Sequence, residues 1–217
     1  MAIRFAQLLG LDVFEIYDLD LAGHLFLIQV DVASGFTVCR YCPGHKKPSS
    51  QAVARAHQDG WRCWAGRPEE LFVDQGSEFR GIFLEWASAE GIMLRLTATE
   101  AHWQLGVVER RVLMIREMHR KVFDELDVRG VDAVVSAVNA MTESINRHSY
   151  QHGFTPAQWV LGHQPVLPGA LSESPSLAEH NAALQEGSFF GKSYAYNRQL
   201  KPPLLPPITR RDFVAPF

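Results

Sequence analysis

Three runs near the start of the chain set its architecture. LGLDVFEIY (9–17), HLFLIQVDV (24–32) and GFTVCRYC (35–42) are rich in Val, Ile, Leu, Phe and Tyr, and the connections between them carry AGH and ASG. Such side chains suit a pleated, half-buried surface, and such connections make tight turns. The three runs therefore predict an antiparallel meander. The pattern then changes. PGHKKPSS (43–50) reads as a loop, and SSQAVARAHQDGW as a helix capped by serine. EELFVD (69–74) reads as a short buried strand, and Phe79, Ile82, Phe83 and Trp86 recur at helical spacing. GIMLRL (91–96) is a fifth strand, and TATEAHWQLG (97–106) a loop. A long helix is expected from about Gly106 to about Glu125, with Val108, Val112, Ile115 and Val122 on one side. Val131, Val134, Val135, Val138 and Ile145 mark another. A meander followed by alternating strands and helices implies an α/β fold, a five-stranded mixed sheet flanked by helices.

Composition bounds the rest. At 217 residues, 47% hydrophobic and 21% charged, the chain suits one globular domain with an appendage. Residues 1–165 carry the strand and helix pattern. Residues 166–217 hold most of the prolines, including KPPLLPP (201–207), and read as a loosely structured extension with one short helix near SLAEHNAALQEG. No run of 18 apolar residues suggests a membrane span, and the first twenty residues meet charge too early for a signal peptide. Three cysteines give no even disulfide framework, so an intracellular, reducing setting is expected. A net charge of −3 argues against a protein that coats nucleic acid, though not against an enzyme that meets a phosphate backbone over a small patch.

Three acids stand at places a core would not choose. Asp12 interrupts the apolar first strand. Asp74 ends the fourth, in VDQGSEF (73–79). Glu109 lies in the first turns of the long helix. Carboxylates from three segments can converge at the rim of a sheet. Hard oxygen ligands of this kind suit Mg²⁺ or Mn²⁺, and two such ions about 3.5–4 Å apart support in-line phosphoryl chemistry.

Four segments, in order and spacing, resemble the catalytic core of retroviral and retrotransposon integrases, in the ribonuclease H-like superfamily. VDQGSEF is similar to that family's D-N-G-x-E-F segment, and AHWQLGVVER (101–110) to its H-x-Q-x-G-x-V-E-R segment. GLDVFEI (10–16) with FLIQVDVASGF (26–36) resembles its first Asp strand and hairpin. NRHSYQHGFTPAQWVLG (146–162) resembles the stretch that follows the catalytic residues. The resemblance implies a ribonuclease H-like fold over residues 8–165, with Asp12, Asp74 and Glu109 as the metal-binding triad for two Mg²⁺ or Mn²⁺ ions. It implies DNA integration by 3′-end processing and strand transfer, in the nucleus when host DNA is the target. DNA and a second copy of the chain are the implied partners. His102 and Gln104 match loop positions near the DNA end. Gln75 stands where Asn is usual, Thr99 and Trp103 where prolines are usual, and Leu113 where a basic residue is common. No His-His-Cys-Cys zinc module precedes Asp12, and no small β-barrel or chromodomain pattern follows.

Arg116 and Arg120 lie seven and eleven positions after Glu109, within about 20° of it around a helix. That face could meet phosphate. Each candidate also has a plainer reading. Asp31 precedes Ala-Ser-Gly and suits an Asx-type turn. Asp18 and Asp20 read as solvated turn acids. Ser77 reads as the cap of the helix after Asp74. Cys39 and Cys42, three apart on a strand, would point to opposite faces and could not share a zinc ion. Trp61, Trp64 and Trp86 suit core or interface, and His45, Lys46 and Lys47 an exposed loop. A non-catalytic nucleic-acid-binding or assembly module on the same fold is the alternative to an enzyme, and a ribonuclease H-type nuclease a weaker one.

Overall fold

In the computed structural model, residues 4–96, 102–149 and 153–163 are described. The backbone of 102–105 is included without its side chains, as is that of His45. The expected extension therefore lies outside the described residues.

Five strands form one sheet: β1 (Leu8–Tyr17), β2 (Gly23–Asp31), β3 (Thr37–Tyr41), β4 (Glu70–Val73) and β5 (Met93–Leu96). Their spatial order is β3-β2-β1-β4-β5. The first three form the antiparallel meander, with Asp12 opposite Ile28 and Ile28 opposite Cys39. β4 runs parallel to β1, and β5 parallel to β4. This is the mixed sheet that the sequence predicts.

Alternation along β1 divides the core. Leu9 and Leu11 face one layer, made with Val53, Trp61, Leu71, Phe79 and Phe83. That layer includes α1 (Ser50–His57) and α2 (Ile82–Ala89). Phe14 and Ile16 face the other, with Val108, Val112 and Ile115 of α3 (His102–Leu126) and Val134, Val138 and Ile145 of α4 (Gly130–His148). Cys39 lies in this second layer and Cys42 in the first, so their thiols are on opposite sides of the sheet.

Local chemistry explains several element ends. Ser49 Oγ accepts from Ala52 N at 3.1 Å and caps α1. The TPAQWVLG stretch is a self-contained helix, α5 (Pro156–Leu161): Thr155 and Gln158 make a reciprocal capping box, Pro156 takes the first turn, and Gly162 closes it in a left-handed conformation. Asn146, at the start of the longer NRHSYQHGFTPAQWVLG segment, works differently. Its amide accepts from Thr37 N at 2.8 Å and donates to Thr37 O at 2.7 Å, so it completes the outer edge of β3 as another strand would.

Three expectations need correction. Ser77 makes no capping bond; residues Ser77–Phe79 form a short 3₁₀ turn and α2 begins only at Ile82, after Gly81. The long helix starts at His102, so half of the expected 97–106 loop is helical. Asp18 is not solvated. It is 4% exposed, and its carboxylate accepts from Asp20 N, Ala22 N, Gly130 N and the His24 ring at 2.9–3.0 Å. Burial alone would raise its pKa, but these donors outweigh it and hold it near 2. Asp20 is exposed and pairs with Arg129. Asp31 behaves as expected, accepting from Ser34 N and Ser34 Oγ inside its turn, and also from Ala6 N outside it.

Candidate active site

Register places Asp12 beside Asp74. β1 and β4 pair in parallel as Leu8 with Glu70, Leu9 with Leu71 and Gly10 with Phe72. Two residues further along each chain, Asp12 meets the level of Asp74. Neighbours at one level of a sheet point to one face. Leu71 and Val73 sit in the α1–α2 layer, so Phe72 and Asp74 belong to the opposite face. Asp12, between Gly10 and Phe14, belongs to that face too. β4 stops at Val73 while β1 continues to Tyr17. The two acids thus stand side by side on one face where β4 ends, the edge at which α/β sheets commonly bind ligands.

Both acids are held by local backbone donors. Asp12 Oδ1 accepts from Val13 N at 2.7 Å, and Asp74 Oδ1 from Gly76 N at 2.9 Å. The second bond makes an Asx-type turn that redirects the chain after β4. Burial pushes the Asp12 carboxyl up to about 6. The Val13 N–H opposes that rise, the negative charges of Asp74 and Glu78 add to it, and the Arg116 guanidinium opposes it. A carboxylate whose charge is disfavoured by burial and by a neighbouring carboxylate is a natural seat for a cation. One or two carboxylates per ion is the usual protein share of a Mg²⁺ shell, so Asp12 and Asp74 fit such an ion.

Glu109 is arranged differently. It is exposed on α3, seven residues after the helix begins, so it lies beyond the first turn and its charge gains little from the helix dipole. Its neighbour Val108 is fully buried over β1. A methyl group on Gly10 would lie 2.5 Å from Val108 Cγ2. Glycine at position 10 therefore lets α3 lie close against the strand that carries Asp12. Among the described residues, no three His, Cys, Asp or Glu side chains converge closely enough to hold a metal ion, so Glu109 is not gathered with the two aspartates.

Arg116 is exposed on α3, and its charge acts on Asp12. Arg120 is exposed one turn further along. The backbone of His102 and Gln104 is helical, and their side chains lie outside the described residues. Two contributors escaped the sequence reading. Gly10 was passed over as part of a strand, although a glycine within an apolar run signals a close backbone approach. Glu78, in the 3₁₀ turn after Asp74, pairs with Lys47 at 2.7 Å, and its charge reaches Asp12.

Gly10→Ala is expected to cost about 1–3 kcal/mol, because the added methyl must push Val108 and α3 off the sheet. Urea denaturation would measure it. A variant as stable as the wild type would mean that α3 is free to shift.

No protein-family model matches the chain, and no curated protein matches it. Solved structures do. The HTLV-2 integrase catalytic core domain in complex with magnesium, in its dimeric form, superposes with a TM-score of 0.57 at 19% identity, over 71% of this chain and 95% of that one. The trimeric form gives 0.57 at 20%, over 70% and 95%. A simian T-cell lymphotropic virus intasome in complex with the PP2A regulatory subunit B56 gamma gives 0.63 at 19%, over 80% of this chain and 60% of that one. The chain has the fold of a retroviral integrase catalytic core. On that fold, Asp12 and Asp74 stand level where β4 ends. Among the described residues, no helix is long and apolar enough to cross a membrane.

Proposed function

We propose that this integrase-fold chain is the catalytic core of a retroelement DNA integrase, a metal-dependent polynucleotidyl transferase acting in 3′-end processing and strand transfer. The observation that carries the reading is the level placement of Asp12 on β1 and Asp74 at the end of the parallel β4, with the Arg116 charge reaching Asp12 from α3. Asp12, Asp74 and Glu109 would hold two Mg²⁺ or Mn²⁺ ions. Bound there, the ions would activate the attacking oxygen and stabilise the leaving one.

The chain's own residues divide the remaining work. Asp12 and Asp74 fix the charge at the crevice and are anchored by Val13 N and Gly76 N, so they need little rearrangement to bind. Glu109 rides on α3, whose approach to β1 is set by Val108 over Gly10. Arg116 presents a cation beside Asp12, where the phosphodiester under attack must lie. His102, Gln104 and Arg120 would extend the DNA contact along the same helix. Self-association, nuclear action on host DNA and an appended role for residues 166–217 belong to the same reading.

The test is a strand-transfer assay on DNA ends with Mg²⁺ or Mn²⁺, comparing the chain with Asp74→Asn. Metal-dependent joining that disappears in the variant supports the enzyme. Joining that persists in the variant would remove Asp74 from the chemistry, and metal-independent DNA binding with no joining in either protein favours a binding module.

Arg116→Ala is expected to weaken DNA-end binding and to make its salt dependence shallower by about one unit of slope, the signature of one lost phosphate contact. Arg95 is a poor comparison, since both its Nε and its Nη2 contact Glu70 at 2.8 Å. Arg55, exposed on α1 in the other layer, is a better one. Equal losses from Arg116→Ala and Arg55→Ala would show that overall charge governs binding.

A further inference from the structure

A cleft of about 350 Å³ opens beside β3, at the sheet edge two strands from Asp12, and the DNA chemistry does not use it. Phe36 and Trp64 both line it, with ring centroids 5.4 Å apart and planes at 56°. The Trp64 indole N–H donates to Gly60 O at 2.7 Å, which fixes the ring, yet Trp64 stays 43% exposed. Gly60 keeps this wall close to the sheet: a methyl group there would lie 2.5 Å from Arg40 Cγ on β3. Leu161, at the end of α5, adds apolar surface.

β3 supplies another part of the lining. Thr37 gives both of its outward bonds to Asn146. Cys42 N bonds inward to Leu25 O, so alternation turns the N–H and C=O of Cys39 to the outer edge. An occupant suited to this cleft brings apolar bulk for the two rings and only one or two backbone donors. Segment 202–207 of this chain, PPLLPP, has that make-up: four proline rings, and N–H groups on Leu204 and Leu205 alone. The described residues end at His163, two positions past Leu161 of the cleft. The stretch from 164 to 200 then separates cleft and segment, and a relaxed chain of that length spans on the order of 35 Å, ample for a return.

We propose that this cleft is the docking site of the chain's own segment 202–207. In the docked form the prolines pack against Phe36 and Trp64, and a leucine N–H meets the Cys39 carbonyl at the edge of β3. Prolines have little freedom to lose, so a short segment suffices. A cleft of this size suits a peptide better than the broad face of a second copy. The inference is independent of the DNA chemistry proposed above, and its failure would leave that reading standing.

Disulfide trapping on the full chain tests this directly. Cys63, next to Trp64, is an exposed native thiol, whereas Cys39 and Cys42 are buried. Thr209→Cys places a second thiol two residues past the segment, and Ser188→Cys places one closer to His163 in sequence. Under mild oxidation at low protein concentration, read by mass spectrometry, Thr209→Cys should join Cys63 within one chain at least about tenfold faster than Ser188→Cys. Replacing Pro202, Pro203, Pro206 and Pro207 with serine should remove that advantage. Equal rates for the two thiols would mean random collision and overturn the inference, as would a rate that the serine changes leave untouched. Trapping found only as disulfide-linked dimers, rising with concentration, would assign the cleft to a second copy and overturn it too.

Discussion

Asp12→Asn is expected to abolish metal-dependent strand transfer, by at least about a thousandfold or roughly 4 kcal/mol of barrier, and to make the metal-free protein more stable. The two effects share one cause. Burial and the neighbouring charges of Asp74 and Glu78 raise the Asp12 carboxyl to about 6. A folded-state pKa above the unfolded one means that the native state binds the proton more tightly. Stability therefore declines as pH rises from about 4 to about 6, and the deficit persists at pH 7. Asparagine keeps the oxygen that accepts from Val13 N and carries no charge. The variant should gain on the order of 1–3 kcal/mol at pH 7 without metal, and the gain should vanish near pH 4. Thermal melts across that range would measure it. A variant less stable than the wild type at pH 7 would recast Asp12 as a structural residue.

Asp18→Ala should have the largest effect on folding, a loss of about 3–5 kcal/mol. The Asp18 carboxylate ties the β1–β2 turn to the start of α4 through Gly130 N, and it holds the buried His24 ring. Removing it strands donors that water cannot reach. Its depressed pKa sets the opposite sign from Asp12: the stabilisation is complete above about 4 and is lost as pH falls through about 2. Urea midpoints at pH 7 and in acid would separate the two acids. A loss below about 1 kcal/mol would mean that the turn relaxes to find other partners. Asp18→Asn should fall between, because one oxygen remains to accept.

The meander and the alternation after it were legible because period-two and helical patterning operate over a few residues, as in LGLDVFEIY and in Val108, Val112 and Ile115. The Ser49 cap and the TPAQ capping box follow from neighbours three residues apart. The opposite facing of Cys39 and Cys42 is likewise local geometry, needing only the pleat. Asp12 and Asp74 could be singled out as acids in apolar strands, but a strand pattern does not say which strands become neighbours.

Tertiary structure decided what depends on partners distant in the chain. Parallel pairing of β1 with β4 brings Asp12 level with Asp74, from 62 residues away in sequence. Asp18 and Asp20 look alike in sequence, yet Gly130 and His24 bury the first while the second stays in solvent beside Arg129. Glu78 stays nearly buried in its turn, with Lys47 from a separate ribbon as its counter-ion. Gly10 matters only because α3 crosses above it. Local pattern is set by torsional preference and by the polarity of near neighbours, which the sequence spells out. Register across a parallel pair, the burial of a charge and the choice of its counter-ion are set by packing between distant segments, and only the folded chain supplies them.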